Sequence, residues 1–500
     1  MLRPLALVFF LDRGHTLEYY TLKYTLGGEM KFIDRVSELQ FLERKYKESG
    51  AQLIIIYGKR RVGKTELVKQ FFKDKPHIYF LADRTSSFYQ LKEISEKVGA
   101  FYEDTFLQER GFGNWIQVFE YLKRRKGKLI IVVDEFPYLI ETDRAIPSLF
   151  QKGWDEHLKD SEIFFIILGS SISMMETEVL SYKAPLYGRR TGQLLIEPLR
   201  FRDCCQFFPK RSFDEWIALY AILGGTPAYL LKFDPSKGVW RNVKEKILSK
   251  GEFLYEEPEF ILREELREPR NYFSILRAIA LGKSKIGEIM NEAGLGKNVI
   301  TKYLSVLSDL KIVQREVPAT EMKPEKSKRG IYKIIDPFFK FWFGFVFPNR
   351  GYLEEGAQDY VLGQIRGRFS GYLSETYETA ARELLWEFSK ADKLPMNFTH
   401  IGRWWEKNEE IDIVAINREG NEILFGEVKW TSKPVGLNIF EDLKRKSKLV
   451  RFQRTRGKEV FVLFSKSGFT EGLLRKTKEE NMFLIERDKI VSRKATEPIF

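Results

Sequence analysis

An α/β chain built on a parallel sheet is what this sequence predicts, and three stretches predict it. The apolar run Leu53-Ile54-Ile55-Ile56-Tyr57 ends in Gly58-Lys59-Arg60-Arg61-Val62-Gly63-Lys64-Thr65, and a helical pattern opens at Glu66, Leu67, Val68 and Phe71. Leu129-Ile130-Ile131-Val132-Val133 runs directly into Asp134-Glu135. Ile163-Phe164-Phe165-Ile166-Ile167-Leu168 ends in Gly169-Ser170-Ser171. Continuous apolar strands suit a sheet covered on both faces, and ligands of such sheets bind at the carboxyl ends of the strands.

A chain of 500 residues has room for roughly two to four domains. Its net charge of +13 favours polyanionic partners such as nucleic acid. Two adjacent cysteines, Cys204 and Cys205, exclude a disulfide framework and suit a reducing cytoplasm, the expected location. Together with four histidines they leave no zinc-ligand spacing. No apolar run is long enough to span a bilayer, so no membrane partner is expected. Leu5–Leu11 is short and lacks a small-residue cleavage site, which argues against a signal peptide. Gly27-Gly28-Glu29-Met30 is what a purine-rich ribosome-binding sequence before a start codon would encode. Synthesis is therefore expected to start at Met30, with 1–29 an extension outside the native chain.

Along the chain, Phe32-Ile33-Asp34-Arg35 followed by Glu38, Leu39 and Leu42 reads as an extended entry into an amphipathic helix. The strand–Gly-x-x-x-x-Gly-Lys-Thr–helix order is that of a phosphate-binding P-loop. Phosphate oxygens need several backbone N–H groups converging on one point. Gly58 and Gly63 allow that path through Lys59, Arg60, Arg61 and Val62, and the following helix adds its N-terminal dipole. Lys64 would reach the β- and γ-phosphates, and Thr65 would place its hydroxyl on Mg²⁺. Asp134, at the end of a buried strand, fits the aspartate that holds the same ion, and Glu135 fits the general base that orients water. Ser170 would sense the γ-phosphate; a plain Ser-rich turn is the alternative. Arg189 or Arg190 would stabilise transition-state charge from a neighbouring subunit, which implies a homo-oligomer; a solvated basic turn is the alternative. Residues 200–265 read as a helical lid interrupted at Leu223–Tyr229.

Phe32–Arg35, Gly58–Thr65, Val133-Asp134-Glu135, Leu168–Ser171, Gly188-Arg189-Arg190 and Gly224-Gly225-Thr226-Pro227 together resemble the archaeal ATPase family, P-loop proteins of the AAA+/STAND type. The resemblance spans residues 30–265 and implies a five-stranded parallel sheet and ATP rather than GTP. The absence of a guanine-type Asn-Lys-x-Asp motif agrees.

Residues 271–317 change character. Tyr272, Ile275, Leu276 and Ile279 mark one helix, Lys285–Glu292 a second, and a Gly294-Leu295-Gly296 turn opens a third at Lys297. That third helix buries Ile300, Tyr303, Leu304 and Leu307 and turns Lys297, Asn298, Thr301 and Lys302 outward, as a major groove requires. Two strands, 312–317 and 330–335, flank a basic tip with Lys323, Lys326, Lys328 and Arg329. The pattern is a winged helix-turn-helix, read as DNA-binding, with protein packing as the alternative.

The last segment carries a second constellation. Strand Glu410–Ile416 places Asp412 on the face of Val414 and Ile416. Strand Ile423–Trp430 places Glu427 and Lys429 on the face of Ile423 and Phe425. Charges on apolar strand faces must meet each other or a metal. Asp on one strand and Glu-x-Lys on the next is the PD-(D/E)xK nuclease pattern, although Ile411 rather than proline precedes Asp412. Asp412 and Glu427 would hold Mg²⁺ or Mn²⁺, Lys429 would position or activate water and steady the phosphate, and Glu378, on a helix over 373–389, would complete the site. Gly402-Arg403-Trp404-Trp405, Glu410–Ile413, Gly426–Trp430 and Phe464–Phe469 resemble the restriction-endonuclease-like domain of unknown function that follows archaeal ATPases.

The expected organisation is thus α/β: a P-loop parallel-sheet ATPase core (30–198), a helical lid (199–265), a winged helix-turn-helix (266–347), a linker (348–371) and a restriction-endonuclease-like α/β domain (372–500). The expected function is an ATP-regulated, metal-dependent DNA nuclease. An ATP-switched DNA-binding regulator that does not cut and a STAND-type signalling ATPase are the alternatives.

Overall fold

A computed structural model describes residues 25–26, 29–30, 32–124, 127–266, 268–452, 457–477 and 479–493. Two compact units divide the chain at Ile33/Asp34. In the first, Thr25–Leu26 pairs antiparallel with Glu29–Met30. Most of the 1–29 extension, on which the expected start at Met30 bears, lies outside the described residues.

The second unit opens with α1 (Val36–Lys47) and a five-stranded sheet of β1 (Gln52–Tyr57), β2 (His77–Leu81), β3 (Leu129–Asp134), β4 (Ile163–Gly169) and β5 (Gly192–Leu195). The spatial order is β2-β3-β4-β1-β5 and every pairing is parallel. β1, β3 and β4 are buried along their whole length, which explains their unbroken β-branched and apolar sequence. β1 passes through the P-loop into α2 (Lys64–Phe72). Gly63 has φ 91° and a Cβ on Gly58 would lie 2.3 Å from the Ile196 carbonyl oxygen, so both loop glycines are required by geometry.

The lid follows. Its α3 (Phe213–Leu223), started by a Ser212/Glu215 capping box, is buried nearly throughout, and α4 (Phe253–Glu265) carries Pro258 inside it. Next come α5 (Arg270–Ala280), α6 (Ile286–Ala293), α7 (Lys297–Asp309) and an antiparallel hairpin of β6 (Val313–Glu316) and β7 (Ile331–Ile334). α7 buries Ile300, Leu304 and Leu307. Tyr303 departs from the expectation. It is only half-buried, packed edge-on against Tyr272 with its hydroxyl accepting from Asn271.

Asp336 caps α8 (Pro337–Phe341), whose Phe338, Phe339 and Phe341 are buried. The expected linker at 348–371 opens with two short helical pieces, Phe347–Asn349 and Arg350–Glu354. One helix, α9 (Gln358–Lys390), runs through the expected boundary for 33 residues. Val361, Ile365, Phe369, Leu373, Tyr377 and Ala380 bury one continuous stripe along it, and three interior glycines do not break it. A six-stranded mixed sheet completes the chain: β8 (His400–Glu406), β9 (Glu409–Asn417), β10 (Glu422–Lys429), β11 (Lys458–Ser465), β12 (Met482–Glu486) and β13 (Lys489–Arg493), in that spatial order, with α10 (Leu437–Ser447) packed on it. The hairpin loop joins this layer: Ala319 N donates to the Arg403 carbonyl at 2.8 Å and Arg418 to the Thr320 carbonyl at 3.4 Å.

Candidate active sites

The first site lies where β1, β3 and β4 end. Lys64 is buried and its ammonium folds onto the loop, donating to the carbonyls of Gly58 (2.9 Å) and Lys59 (2.8 Å). Burial pulls its pKa down, against the charges of Glu135 and Asp134. Thr65 Oγ1 donates to Asp134 Oδ2 at 2.7 Å, so the two side chains proposed for Mg²⁺ already share one corner. Tyr79 donates to the same oxygen at 2.7 Å, and the Glu135 N–H donates to Asp134 Oδ1 at 2.8 Å. Glu135 has φ 54°, a left-handed turn that aims its carboxylate back at Ser170, whose Oγ donates to Glu135 Oε2 at 2.6 Å.

The three basic side chains between the loop glycines turn outward from the backbone path to the surrounding modules. Lys59 pairs with Asp336 at 3.2 Å. Arg60 pairs with Glu264 (3.1 Å) and donates to the Tyr138 hydroxyl (2.9 Å), and Arg61 meets Glu257 at 2.7 Å. Val62 is fully buried; its carbonyl accepts from Arg35 at 3.2 Å, and Arg35 also reaches the Glu197 carbonyl. Arg35 therefore staples the P-loop to the strand-end segment after β5. Arg189 and Arg190 lie elsewhere. Arg189 is held by Asp155 (3.0 Å) and the Pro185 carbonyl, and Arg190 donates to the Tyr187 carbonyl (2.5 Å).

The second site forms at the start of β9 and the end of β10. Val414 pairs with Phe425 and Ile413 with Gly426, so Asp412 and Glu427 come together where the pairing ends, and the Asp412 charge acts on Glu427. Asp412 Oδ2 accepts from the Val428 N–H at 2.9 Å, and Lys429 Nζ lies 2.6 Å from Glu427 Oε1. Burial and the Asp412 charge push Glu427 up and raise Glu378 to about 7, so the three carboxylates feel one another. Burial disfavours the Lys429 cation, but the Glu427 contact outweighs it and the pKa is raised. Glu427 Oε2 and Glu378 Oε2 are buried without a hydrogen-bond partner. Glu378 Oε2 keeps two arginines within ion-pair distance, Arg403 at 3.7 Å and Arg382 at 3.9 Å, whereas the unpartnered Glu427 oxygen beside Asp412 suits a hard divalent cation, which takes one or two carboxylates and completes its shell with water. Among the described residues no group of three or more His, Cys, Asp and Glu is disposed to hold a metal ion.

Sequence reasoning missed several members of these sites. Arg382 donates to the Asp412 carbonyl (3.1 Å), Arg403 approaches both Glu378 (3.7 Å) and Glu410 (3.0 Å), and Lys446 on α10 stands 3.8 Å from Glu427. Arg403 lies within the Gly-Arg-Trp-Trp string, but nothing local assigns it a partner across the sheet. On the hairpin loop Lys323, Lys326 and Lys328 are exposed, whereas Arg329 binds Glu321 and donates to the Trp405 carbonyl, so Arg329 is a packing residue rather than a free DNA contact. The α7 face keeps Lys297, Asn298, Thr301 and Lys302 exposed.

Residues 32–233 match the family described as an ATPase domain predominantly from Archaea, and residues 342–446 match Archaea bacterial proteins of unknown function. An uncharacterized Methanocaldococcus jannaschii protein, MJECL04, is 41% identical over 421 residues, 84% of this chain and 92% of its own length. The chain belongs to the archaeal ATPase family. ATP binding and hydrolysis are its activity, performed on the P-loop core. This archaeal ATPase also shares 56% identity over 48 residues with an uncharacterized ATP-binding protein of the same organism, MJ0423, covering 10% of the chain and 81% of that protein. Solved structures similar to it are a Walker-type ATPase of Pyrococcus abyssi (22% identity, 62% of this chain and 96% of that one, TM-score 0.47) and the Aeropyrum pernix ORC2 protein in ADPNP–ADP complexes (14% identity, 68% and 98%, TM-score 0.41). Among the described residues of the archaeal ATPase no helix is long and apolar enough to cross a membrane.

Proposed function

We propose that this archaeal ATPase is an ATP-regulated, metal-dependent DNA nuclease, with ATP and Mg²⁺ at the P-loop and phosphodiester cleavage at the Asp412–Glu427–Lys429–Glu378 cluster. One observation carries the reading: Glu427 Oε2 is buried and unpartnered next to Asp412. A purely structural cluster gains little from such a group, because an apolar set of similar volume is often equally stable.

At the P-loop, Lys64 and the backbone N–H groups of 58–65 would cradle phosphates, Thr65 and Asp134 would hold Mg²⁺, and Glu135 would orient water, with Ser170 fixing its carboxylate. Arg189 or Arg190 would act on a neighbouring subunit. At the second cluster, a bound divalent cation supplies Lewis-acid polarisation and a more acidic water. Lys429 remains a cation beside Glu427, so it steadies the phosphate rather than taking a proton. Lys446 adds a second positive charge on the α10 side. In cleavage the attacking water gives up a proton to solvent as its oxygen bonds to phosphorus, the P–O bond to the leaving sugar oxygen breaks, and that oxygen takes up a proton from solvent. DNA would lie along the exposed α7 residues Lys297, Asn298, Thr301 and Lys302 and the loop lysines Lys323, Lys326 and Lys328. The adjacent, unbridged cysteines suit a cytoplasmic setting for this activity.

The test is incubation of supercoiled plasmid, linear duplex and single strands with the full chain, in Mg²⁺, Mn²⁺ or EDTA, with and without ATP. Cuts in Mg²⁺ or Mn²⁺ and none in EDTA are expected. Intact DNA of every form in both metals would leave an ATP-switched DNA-binding protein.

A further inference from the structure

The ATP site and the carboxylate cluster are joined by two ion pairs and one short helix. Lys59 Nζ, within the P-loop, lies 3.2 Å from Asp336 Oδ2, and both side chains are largely shielded from solvent. The other Asp336 oxygen accepts from the Phe338 and Phe339 N–H groups at 3.0 and 3.2 Å. One carboxylate therefore holds the P-loop with one oxygen and caps α8 with the other. Near the far end of α8, Lys340 pairs with Glu375 of α9. Glu375 is one turn before Glu378 on that helix, and Arg382 is one turn after it. Arg382 lies 3.9 Å from Glu378 and donates to the Asp412 carbonyl. α8 has three buried phenylalanines, one of them 4.7 Å from the Tyr229 ring, and runs directly into a further buried helical turn, Trp342–Val346, so close packing would carry a displacement at Asp336 along to Lys340.

Nucleotide disturbs the first link directly. Phosphates draw the Lys64 ammonium away from the Gly58 and Lys59 carbonyls that now hold it. They also bring several negative charges to the loop that carries Lys59, where they compete with Asp336 for the lysine and repel the buried carboxylate. We propose that nucleotide at the P-loop resets the Glu378–Asp412 cluster through the relay Lys59–Asp336, α8, Lys340–Glu375. This regulation rests on the reading of the cluster as a working nuclease-like site. Coupling between binding sites is reciprocal, so an occupant of the cluster would alter nucleotide affinity by the same factor.

The test is hydrogen exchange of the full chain in Mg²⁺ alone and in Mg²⁺ with the non-hydrolysable analogue AMP-PNP. In the wild type, exchange of amides over 372–382 and 409–430 is expected to change by about threefold or more on adding analogue, alongside protection of the P-loop. Lys340→Met and Glu375→Gln lie in neither site. They should keep P-loop protection and lose the distant response, and the charge swap Lys340→Glu with Glu375→Lys should recover it. The relay is overturned if the wild type responds only at the P-loop, or if Lys340→Met responds at the cluster as the wild type does. Should the single variants fail to fold, the swap decides: a response supports the relay and its absence contradicts it. A distant response without any DNA cleavage would remove the nuclease reading and leave the relay standing.

Discussion

Ser170 Oγ donates to Glu135 Oε2 at 2.6 Å, across the gap between the ends of two neighbouring strands of the parallel sheet. The serine and the proposed base thus act as one unit. Glu135→Gln is expected to keep nucleotide binding and lose hydrolysis by about 10²–10⁴-fold, the usual share of a general base. Ser170→Ala removes a hydrogen bond to a charged group, worth about 1.5–3 kcal/mol, and should slow turnover on the order of tenfold or more. Lys64→Ala should abolish binding. Phosphate release measured with fluorescent-nucleotide titration separates these effects, and normal turnover by Glu135→Gln would contradict its role.

Arg189 and Arg190 contact Asp155, Pro185 and Tyr187 rather than the P-loop of their own chain. If one of them completes a neighbour's site, its alanine variant should bind ATP yet hydrolyse it on the order of 10³-fold more slowly. Mixing it with Lys64→Ala subunits should restore part of the activity. Mixtures no more active than their components would count against action in trans.

The basic residues of the hairpin loop differ in their surroundings: Lys323, Lys326 and Lys328 are exposed, while Arg329 is paired with Glu321. Neutralising Lys323, Lys326 and Lys328 should weaken binding to every duplex and flatten its salt dependence, by roughly 0.9 in slope for each phosphate left without a cation. Arg329→Ala should lower the apparent melting temperature instead, because it frees Glu321 and the Trp405 carbonyl. Changing Asn298 or Thr301 should alter sequence preference. Affinity and salt slope can be read from one set of anisotropy titrations, and an unchanged slope in the triple variant would favour protein packing for this module.

Glu257 gives a pH signature. Burial raises its carboxyl to about 8, with Glu264 adding to the rise, and Arg61, the Tyr229 hydroxyl and Arg60 oppose it only in part. An unfolded glutamate titrates near 4.3, so between about 4.3 and 8 the folded chain holds a proton that the unfolded chain has lost. The stability tied to Glu257 is whole below that window and fades as pH rises through 8. Glu257→Gln keeps the shape without the titration and should flatten the pH dependence of the apparent melting temperature, by a few degrees on the order of magnitude. Identical slopes in variant and wild type would reject this origin.

Much of the architecture was legible because it is written locally. The P-loop glycines, the strand leading to Asp134 and the alternation around Asp412 and Glu427 each carry their own geometric requirement. What the sequence hid is non-local. Asp336-Pro337 reads as an N-cap followed by proline at the first helical position, yet its pairing with Lys59 spans 277 residues. Glu383 looks like one more surface glutamate on a helix, but it is half-buried and accepts from the Tyr220 hydroxyl and the Phe201 N–H. The glycines at 363, 367 and 371 lie inside α9, where packing of the apolar stripe overrides their weak helix propensity. Arg329 reads as a basic tip residue until the loop folds back onto β8.

DNA cutting by the Asp412 cluster, under the control of a separate ATPase core, stands or falls on one comparison. Metal-dependent DNA cleavage and ATP hydrolysis are measured side by side for the wild type, Asp412→Ala and Lys429→Met. The wild type should do both, while the two variants should lose cleavage and retain most ATP hydrolysis and DNA affinity, because neither substitution removes a residue of the P-loop, of the exposed α7 face or of the hairpin loop. Cleavage by Asp412→Ala at the wild-type rate would refute the assignment of the cut to this cluster.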